Sequence, residues 1–368
     1  MSAPSPGLKG LADPWADALW RVVREGSEFD AVDMALSALE SGLDAEDLIL
    51  DVIGAVQARV GAEWAANRLT VAQEHTATAI NDRVIGALAH HPGLRSRSTG
   101  HLGRVAVACV DGEWHALPAR LLTEVLRLRG WQVDYLGAQV PGPHLISHLH
   151  RTGPDVVAVS ASLPTRLPTA HATISACQAT GTPVLVGGAA FGADGRFARL
   201  LRADGWARDA RDAAALLAAG LPGPSLDHQI ADDLPHLADQ EYTMVARSAP
   251  RLVRETVAGL IERFPGQPSF ASPHTAEDVA HIVEYLATAL YVDDTPLFRD
   301  FIAWTAGILE VRGVPARVLL PALELLGERL ADFPRACGLL SAARDGILTG
   351  IRGGDPAGLR VSGLEEPA

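Results

Sequence analysis

Four short apolar runs, two of them trailed by a helical pattern, constrain the fold of this chain more than any other feature. Val105 to Val110 (VAVACV) is β-branched, bounded by polar residues and of a length suited to one buried strand. A second run ends near Tyr135, Leu136 and Gly137, a third is Val156 to Val159, and a fourth is Val184 to Val186. Pro118 to Leu126 has helical spacing, with proline near its first turn and Gly130 past its end, and a further helix holds Ile146. Strands alternating with helices predict a parallel, doubly wound α/β sheet. In such sheets ligands bind at the loops that follow the carboxyl ends of the strands.

Three of those loops carry chemistry. After the first strand comes Glu113-Trp114-His115, where a carboxylate two residues before an imidazole is placed to hold one ring nitrogen while the other binds a metal. The third strand ends in Ser160-Ala161-Ser162-Leu163 and the fourth in Gly187-Gly188. Taken singly, each has an ordinary structural use: a polar loop histidine, a strand-end cap, a glycine turn. Together they resemble the ligand loops of cobalamin-binding domains. The first loop is similar to the Asp-x-His-x-x-Gly motif of that family, in the Glu-x-His form of its light-sensing members, with Pro118 where the family has glycine. The resemblance implies that His115 is the lower cobalt ligand and that Ser160 bonds the displaced nucleotide base. It further implies that Gly187 and Gly188 let the tail pass close to the backbone. Ser162 stands where the family has leucine.

The chain of 368 residues is long enough for two or three domains. Residues from about Asp13 to His90 are helical in pattern: Phe29, Val32, Leu36 and Leu39, then Ile49, Val52, Ile53 and Val56, recur at spacings of three and four. Asp44-Ala45-Glu46-Asp47 opens one helix with acidic residues at its positive end. Polar linkers follow at His91 to Gly103 and Leu221 to Ser225, and the last region is helical again. There Thr275-Ala276-Glu277-Asp278 and Thr295-Pro296 are helix starts, Gly313 is a helix end, and Pro321 is a kink or break. A net charge of −13 disfavours direct nucleic-acid binding. No uninterrupted apolar stretch has the length of a membrane span, and the start MSAPSPGLKG lacks a signal-peptide core. Three scattered cysteines, Cys109, Cys177 and Cys337, suit a reducing, cytoplasmic setting rather than a disulfide framework.

The N-terminal helices hold a second motif: Trp64, then nine residues, then Glu74-His75, with Thr70 as the cap of the helix bearing the pair. A core tryptophan and a solvated Glu-His pair would be the ordinary use of these residues. The spacing resembles the Trp-x9-Glu-His signature in the four-helix cap of adenosylcobalamin-dependent photoreceptors. That implies that Trp64, Glu74 and His75 surround the upper ligand. The histidine that follows tryptophan in that family is Ala65 here, so the same light-state adduct is not expected.

His274, His281, Tyr285, Tyr291, Phe298, Phe301 and Trp304 gather in one span of the last region, in a chain only 5% aromatic. They would serve as core filling or as walls of a flat conjugated ligand. The layout resembles the photocobilins, stand-alone photoreceptors that hold cobalamin and biliverdin. The expected fold is therefore multidomain α and α/β. A four-helix cap spans 13–92, a Rossmann-like cobalamin-binding domain 103–220, and an all-α globin-like domain 226–350. The expected cofactors are adenosylcobalamin and biliverdin, with His274, His281, Tyr285 and Trp304 as candidate bilin contacts. The expected function is light sensing without enzymatic activity. A corrinoid shuttle for methyl transfer is the alternative, with heme as the alternative ligand of the last domain. Homo-oligomerisation and an unidentified downstream effector protein stay open.

Overall fold

The computed structural model describes residues 9–95, 102–223, 235–237, 239–267, 270 and 272–353. Part of each expected linker and the tail beyond Gly353 lie outside the described residues. The chain divides into two compact units after Leu226.

The first unit begins with four helical stretches: α1 (Lys9–Glu25), α2 (Glu28–Glu40), α3 (Ala45–Asp47, continuing through Leu48–Gly54 into Ala55–Ala65) and α4 (Val71–His90). Asp44 caps α3 by accepting the Glu46 N–H at 2.8 Å, as the acidic start predicts. Leu48–Gly54 is a π-helical turn, a rare geometry that is frequent at functional sites. Ile49, Val52, Ile53 and Val56 are buried, as their spacing predicts. In α2 the buried face is Ala31, Ala35 and Ala38, and Phe29 is 82% exposed. The small alanines let α2 approach its neighbours closely, and Val32, Leu36 and Leu39 pack partly buried against the same core.

The α/β part is a five-stranded parallel sheet in the order β2-β1-β3-β4-β5. Its strands are β1 (Arg104–Cys109), β2 (Gln132–Gly137), β3 (Val156–Ser160), β4 (Val184–Gly187) and β5 (Gly205–Ala207). The central strands β1 and β3 are buried on both faces, so they are continuous β-branched runs rather than alternating ones. Helix α5 (Leu117–Leu128) crosses from β1 to β2, and α6 (Ala210–Ala219) follows β5. Pro118 sits in the first turn of α5, where its missing N–H costs nothing, so proline in place of glycine is compatible with this turn.

One hydrophobic core joins the N-terminal helices to the sheet, with Val52, Ile53 and Leu88 packed in the same cluster as Val107, Leu121 and Val125. Two arginines tie the same parts together. Arg129 grips Glu46 with two hydrogen bonds of 2.9 and 2.7 Å. Arg211, on α6, reaches Asp51 at 2.9 and 2.8 Å and Asp47 at 2.8 Å, with Glu46 at 3.3 Å.

The second unit is mostly helical: α7 (Glu241–Arg263), α8 (Pro273–Val292), α9 (Thr295–Val311), α10 (Leu320–Arg329) and α11 (Pro334–Gly353). Helix α8 starts at Pro273 with Ser272 as its cap, two residues before the expected Thr275, because Ser272 already satisfies the His274 N–H. Pro321 breaks the pattern as expected, lying in the first turn of α10. Buried Glu241 accepts the N–H groups of Arg335 at 3.0 Å and Ala336 at 2.8 Å, which closes the first turn of α11. No described helix is long and apolar enough to cross a membrane.

Candidate functional site

The loop after β1 is pinned at three points. The Val110 N–H donates to the Ser160 carbonyl at 3.1 Å, the Gln139 N–H to the Glu113 carbonyl at 3.0 Å, and Val140 N–H to the Cys109 carbonyl at 3.2 Å. Gly112 turns the chain with a φ of +77°, a conformation that favours glycine, and so directs Glu113 inward. The Glu113 side chain is fully buried.

Four N–H groups converge on that carboxylate. Oε1 accepts the His115 ring Nδ1 at 2.6 Å and the His115 backbone N–H at 2.9 Å. Oε2 accepts the backbone N–H of Ser162 at 2.7 Å and of Leu163 at 3.1 Å. Burial opposes ionisation of Glu113, but the His115 ring and these backbone donors outweigh it and hold its pKa below the ordinary value. An ionised Glu113 makes Nδ1 the donor, so the neutral imidazole carries its lone pair on Nε2, on the ring edge away from Glu113. The His115 side chain is 53% exposed. Next to it, Trp114 is 73% exposed.

The serine and glycine loops meet a cavity of about 350 Å³ at the carboxyl ends of the strands. Val107, Ala158 and Leu185 form its sheet wall, Pro118 and Leu122 its α5 wall, and Ser160, Gly187 and Gly188 its rim. Ser160 is buried and shares a hydrogen bond with Cys109, whose thiol burial pushes up to about 12. A Cβ on Gly188 would lie 2.3 Å from the Ala161 carbonyl oxygen, and its φ is +99°. Glycine at 188 is therefore demanded by the neighbouring backbone itself, whatever passes through the cavity. At Gly187 a Cβ would stand 3.3 Å from the Ala207 carbonyl oxygen.

Two features here are absent from the sequence reading. Ser162 acts on Glu113 through its main chain, and its buried hydroxyl has no hydrogen-bond partner among the described residues. The cavity also takes residues from the N-terminal helices, Leu50, Asp51 and Gly54, and Arg208 from the segment before α6 and Arg211 from its first turn. No local sequence signal joins these, because Arg211 and Asp51 are 160 residues apart in the chain.

In the N-terminal helices Thr70 caps α4, with the capping box completed by Gln73. Trp64 is half-buried near the end of α3 and packs against the core. Glu74 binds the His75 ring and accepts the Thr78 hydroxyl at 2.8 Å, while the His75 side chain is 75% exposed. In the second unit the expected aromatic set divides. Phe298 and Tyr291 are buried, the latter against Tyr242 with ring centroids 4.8 Å apart. Tyr285 lies flat on Phe301, with centroids 3.6 Å apart and 4° between planes, and Trp304 is tilted 6.5 Å from Phe301. His274 and His281 are exposed.

Residues 103–215 match the family model described as B12 binding domain, and residues 15–89 match a second model of the same description. The chain carries B12-binding domains. It is 26% identical over 144 residues to the trimethylamine corrinoid protein of Methanosarcina barkeri, covering 38% of this chain and 66% of that one. To trimethylamine corrinoid protein 1 of Methanosarcina mazei it is 24% identical, covering 38% of this chain and 67% of the other. The matched segment thus spans about two thirds of each relative. The fold is similar to that of the monomethylamine corrinoid protein of Methanosarcina barkeri, at a TM-score of 0.50 and 19% identity over 56% of this chain and 98% of that one.

The residues of this site fit cobalamin. His115 could supply one nitrogen, which would suffice for a metal whose in-plane ligands all come from its own macrocycle. The cavity has the volume of a small-molecule site, about 300–1,000 Å³. It offers mostly apolar walls, a serine hydroxyl and a rim free of side chains at Gly187 and Gly188. Ser162 adds a buried hydroxyl in need of a partner.

Proposed function

We propose that His115 is the lower cobalt ligand of a bound cobalamin and that the loaded protein is a light sensor. The observation that carries the first part is the Glu113–His115 pair, in which a buried anion holds Nδ1 and so fixes the ring tautomer and orientation. Ser160, Gly187 and Gly188 would receive the nucleotide tail in the cavity they line. Trp64, Glu74 and His75 would face the upper ligand. Cobalamin supplies a cobalt–carbon bond that visible light breaks.

The light-sensing part rests on the Trp64, Glu74 and His75 spacing and on the second unit. The matched corrinoid protein is covered over 98% of its length by 56% of this chain, so the solved relative accounts for little beyond the first unit. We assign the second unit a globin-like, bilin-binding role, with the parallel Tyr285–Phe301 pair and Trp304 as the aromatic surface. His274 and His281 are exposed on α8, ahead of Tyr285, and would offer polar contacts. Arg254, Arg263 and Arg312 are the basic residues suited to propionates, and Arg263 is held by Glu328 at 3.0 and 2.5 Å.

A second reading, a corrinoid carrier for methyl groups, is favoured by the similarity to the trimethylamine corrinoid proteins, and the comparisons lean towards it. One experiment separates the two. The full chain is loaded with adenosylcobalamin and biliverdin, and its absorption and elution volume are recorded in darkness and after illumination. The sensor reading expects a bound bilin band and a light-dependent change in elution volume. Absence of bilin uptake and of any structural response to light, with methylation of the bound corrinoid by a partner methyltransferase, would establish the carrier.

A further inference from the structure

The Arg211 cluster stands at the cavity that would take the nucleotide tail. Arg211 itself lines that cavity, and so does Asp51, its partner at 2.9 and 2.8 Å. Leu50 and Gly54, from the π-helical turn of α3, complete the same wall. Three carboxylates of α3, Glu46, Asp47 and Asp51, surround one guanidinium on α6, at 3.3, 2.8 and 2.8 Å. The wall is therefore composite. The N-terminal helices supply one part, the α/β domain supplies the rest, and Arg211 joins them.

We infer that occupancy of the tail cavity and docking of the N-terminal helices onto the sheet are linked through Arg211. This rests on the cobalamin reading above and goes beyond it, because it gives the helical bundle a role at the tail cavity, remote from the upper ligand. A tail seated in the cavity touches a wall that exists only when α3 is docked. Binding and docking must then favour each other, since a ligand shifts a conformational equilibrium by its differential affinity for the two states. The charge-assisted contacts of Arg211 supply the docked state with directionality that apolar packing alone would not.

Cobinamide, a corrinoid without the nucleotide tail, isolates the effect. Hydrogen exchange of residues 45–65 is measured in the full chain alone, with excess cobalamin and with excess cobinamide. Cobalamin should slow exchange there about tenfold more than cobinamide does. In Arg211→Met the two corrinoids should become equivalent, and affinity for cobalamin but not cobinamide should fall about tenfold. Far-ultraviolet circular dichroism checks that the variant folds; if it does not, the wild-type comparison decides alone. Equal slowing by both corrinoids, or a difference that survives Arg211→Met, overturns the linkage. Binding of neither corrinoid would remove the cobalamin reading and the linkage with it, a result distinct from equal slowing.

Discussion

Glu113 and His115 are joined twice through a single oxygen: Oε1 accepts both the ring Nδ1, at 2.6 Å, and the backbone N–H, at 2.9 Å. The second bond fixes the backbone that carries the ring, so the imidazole is held in position as well as in tautomer. The other oxygen is tied to Ser162 and Leu163, which transmits the order of the β3 loop to the histidine.

Glu113→Gln keeps the shape of this side chain but brings an amide NH₂ against backbone donors on one side. Cobalamin affinity should fall about 10–100-fold, the usual loss when an outer partner of a metal ligand is removed. Fold stability should fall by about 1–3 kcal/mol, because at least one buried N–H loses its acceptor. Titration followed by absorbance and urea unfolding check the two effects separately. Unchanged affinity would mean that Glu113 serves the loop alone.

The two glycines at the end of β4 should respond differently to alanine. Gly188→Ala places a Cβ against the Ala161 carbonyl at a φ of +99° and should cost about 2–4 kcal/mol of stability. Gly187→Ala, 3.3 Å from the Ala207 carbonyl, should fold with a smaller loss, while narrowing the cavity and weakening cobalamin more than cobinamide. Urea midpoints and corrinoid titrations on both variants check the contrast.

Trp64 is half-buried, so Trp64→Ala should cost about 1–3 kcal/mol, below the roughly 3–5 kcal/mol typical of a fully buried tryptophan. On the light-sensing reading it should also reduce the preference for adenosyl- over methylcobalamin. Competition between the two cofactors, followed by absorbance, checks this; an untouched preference would leave Trp64 as ordinary packing.

The second unit should lose stability in acid through Asp239. Burial opposes its ionisation, but Arg335 at 2.8 Å and the Glu241 N–H at 2.9 Å outweigh it and lower its pKa. A carboxyl whose folded pKa lies below its unfolded value, about 3.9, stabilises above that value. The contribution disappears as pH falls through the lower, folded pKa. Arg335→Ala should therefore flatten the dependence of stability on pH below about pH 4, measured by chemical unfolding at a series of pH values.

The parallel sheet was legible because β1 and β3 are buried on both faces and appear as β-branched runs. The Glu113–His115 pair was legible because both residues fall in one loop. Strand β5 was missed, since Gly205-Trp206-Ala207 is three residues long and has no apolar run. Of the spaced apolar residues of α2, Val32, Leu36 and Leu39 pack against the core, whereas Phe29 is exposed and the fully buried positions are Ala31, Ala35 and Ala38. The Arg211 cluster had no local signal at all: only the fold brings α3 and α6 together. Likewise the spacing of Tyr285, Phe301 and Trp304 could not show that the first two stack face to face.

The most direct test of the central claim, that His115 binds cobalt, is electron paramagnetic resonance of the cob(II)alamin-loaded protein labelled with ¹⁵N at histidine only. Nitrogen coupling to cobalt then reports which molecule supplies the lower ligand. The account predicts that triplet superhyperfine splittings in unlabelled protein become doublets in labelled protein, and that His115→Ala abolishes this change. Triplets that persist in the labelled protein would show cobalt still bound to the cofactor's own base, and would contradict the account.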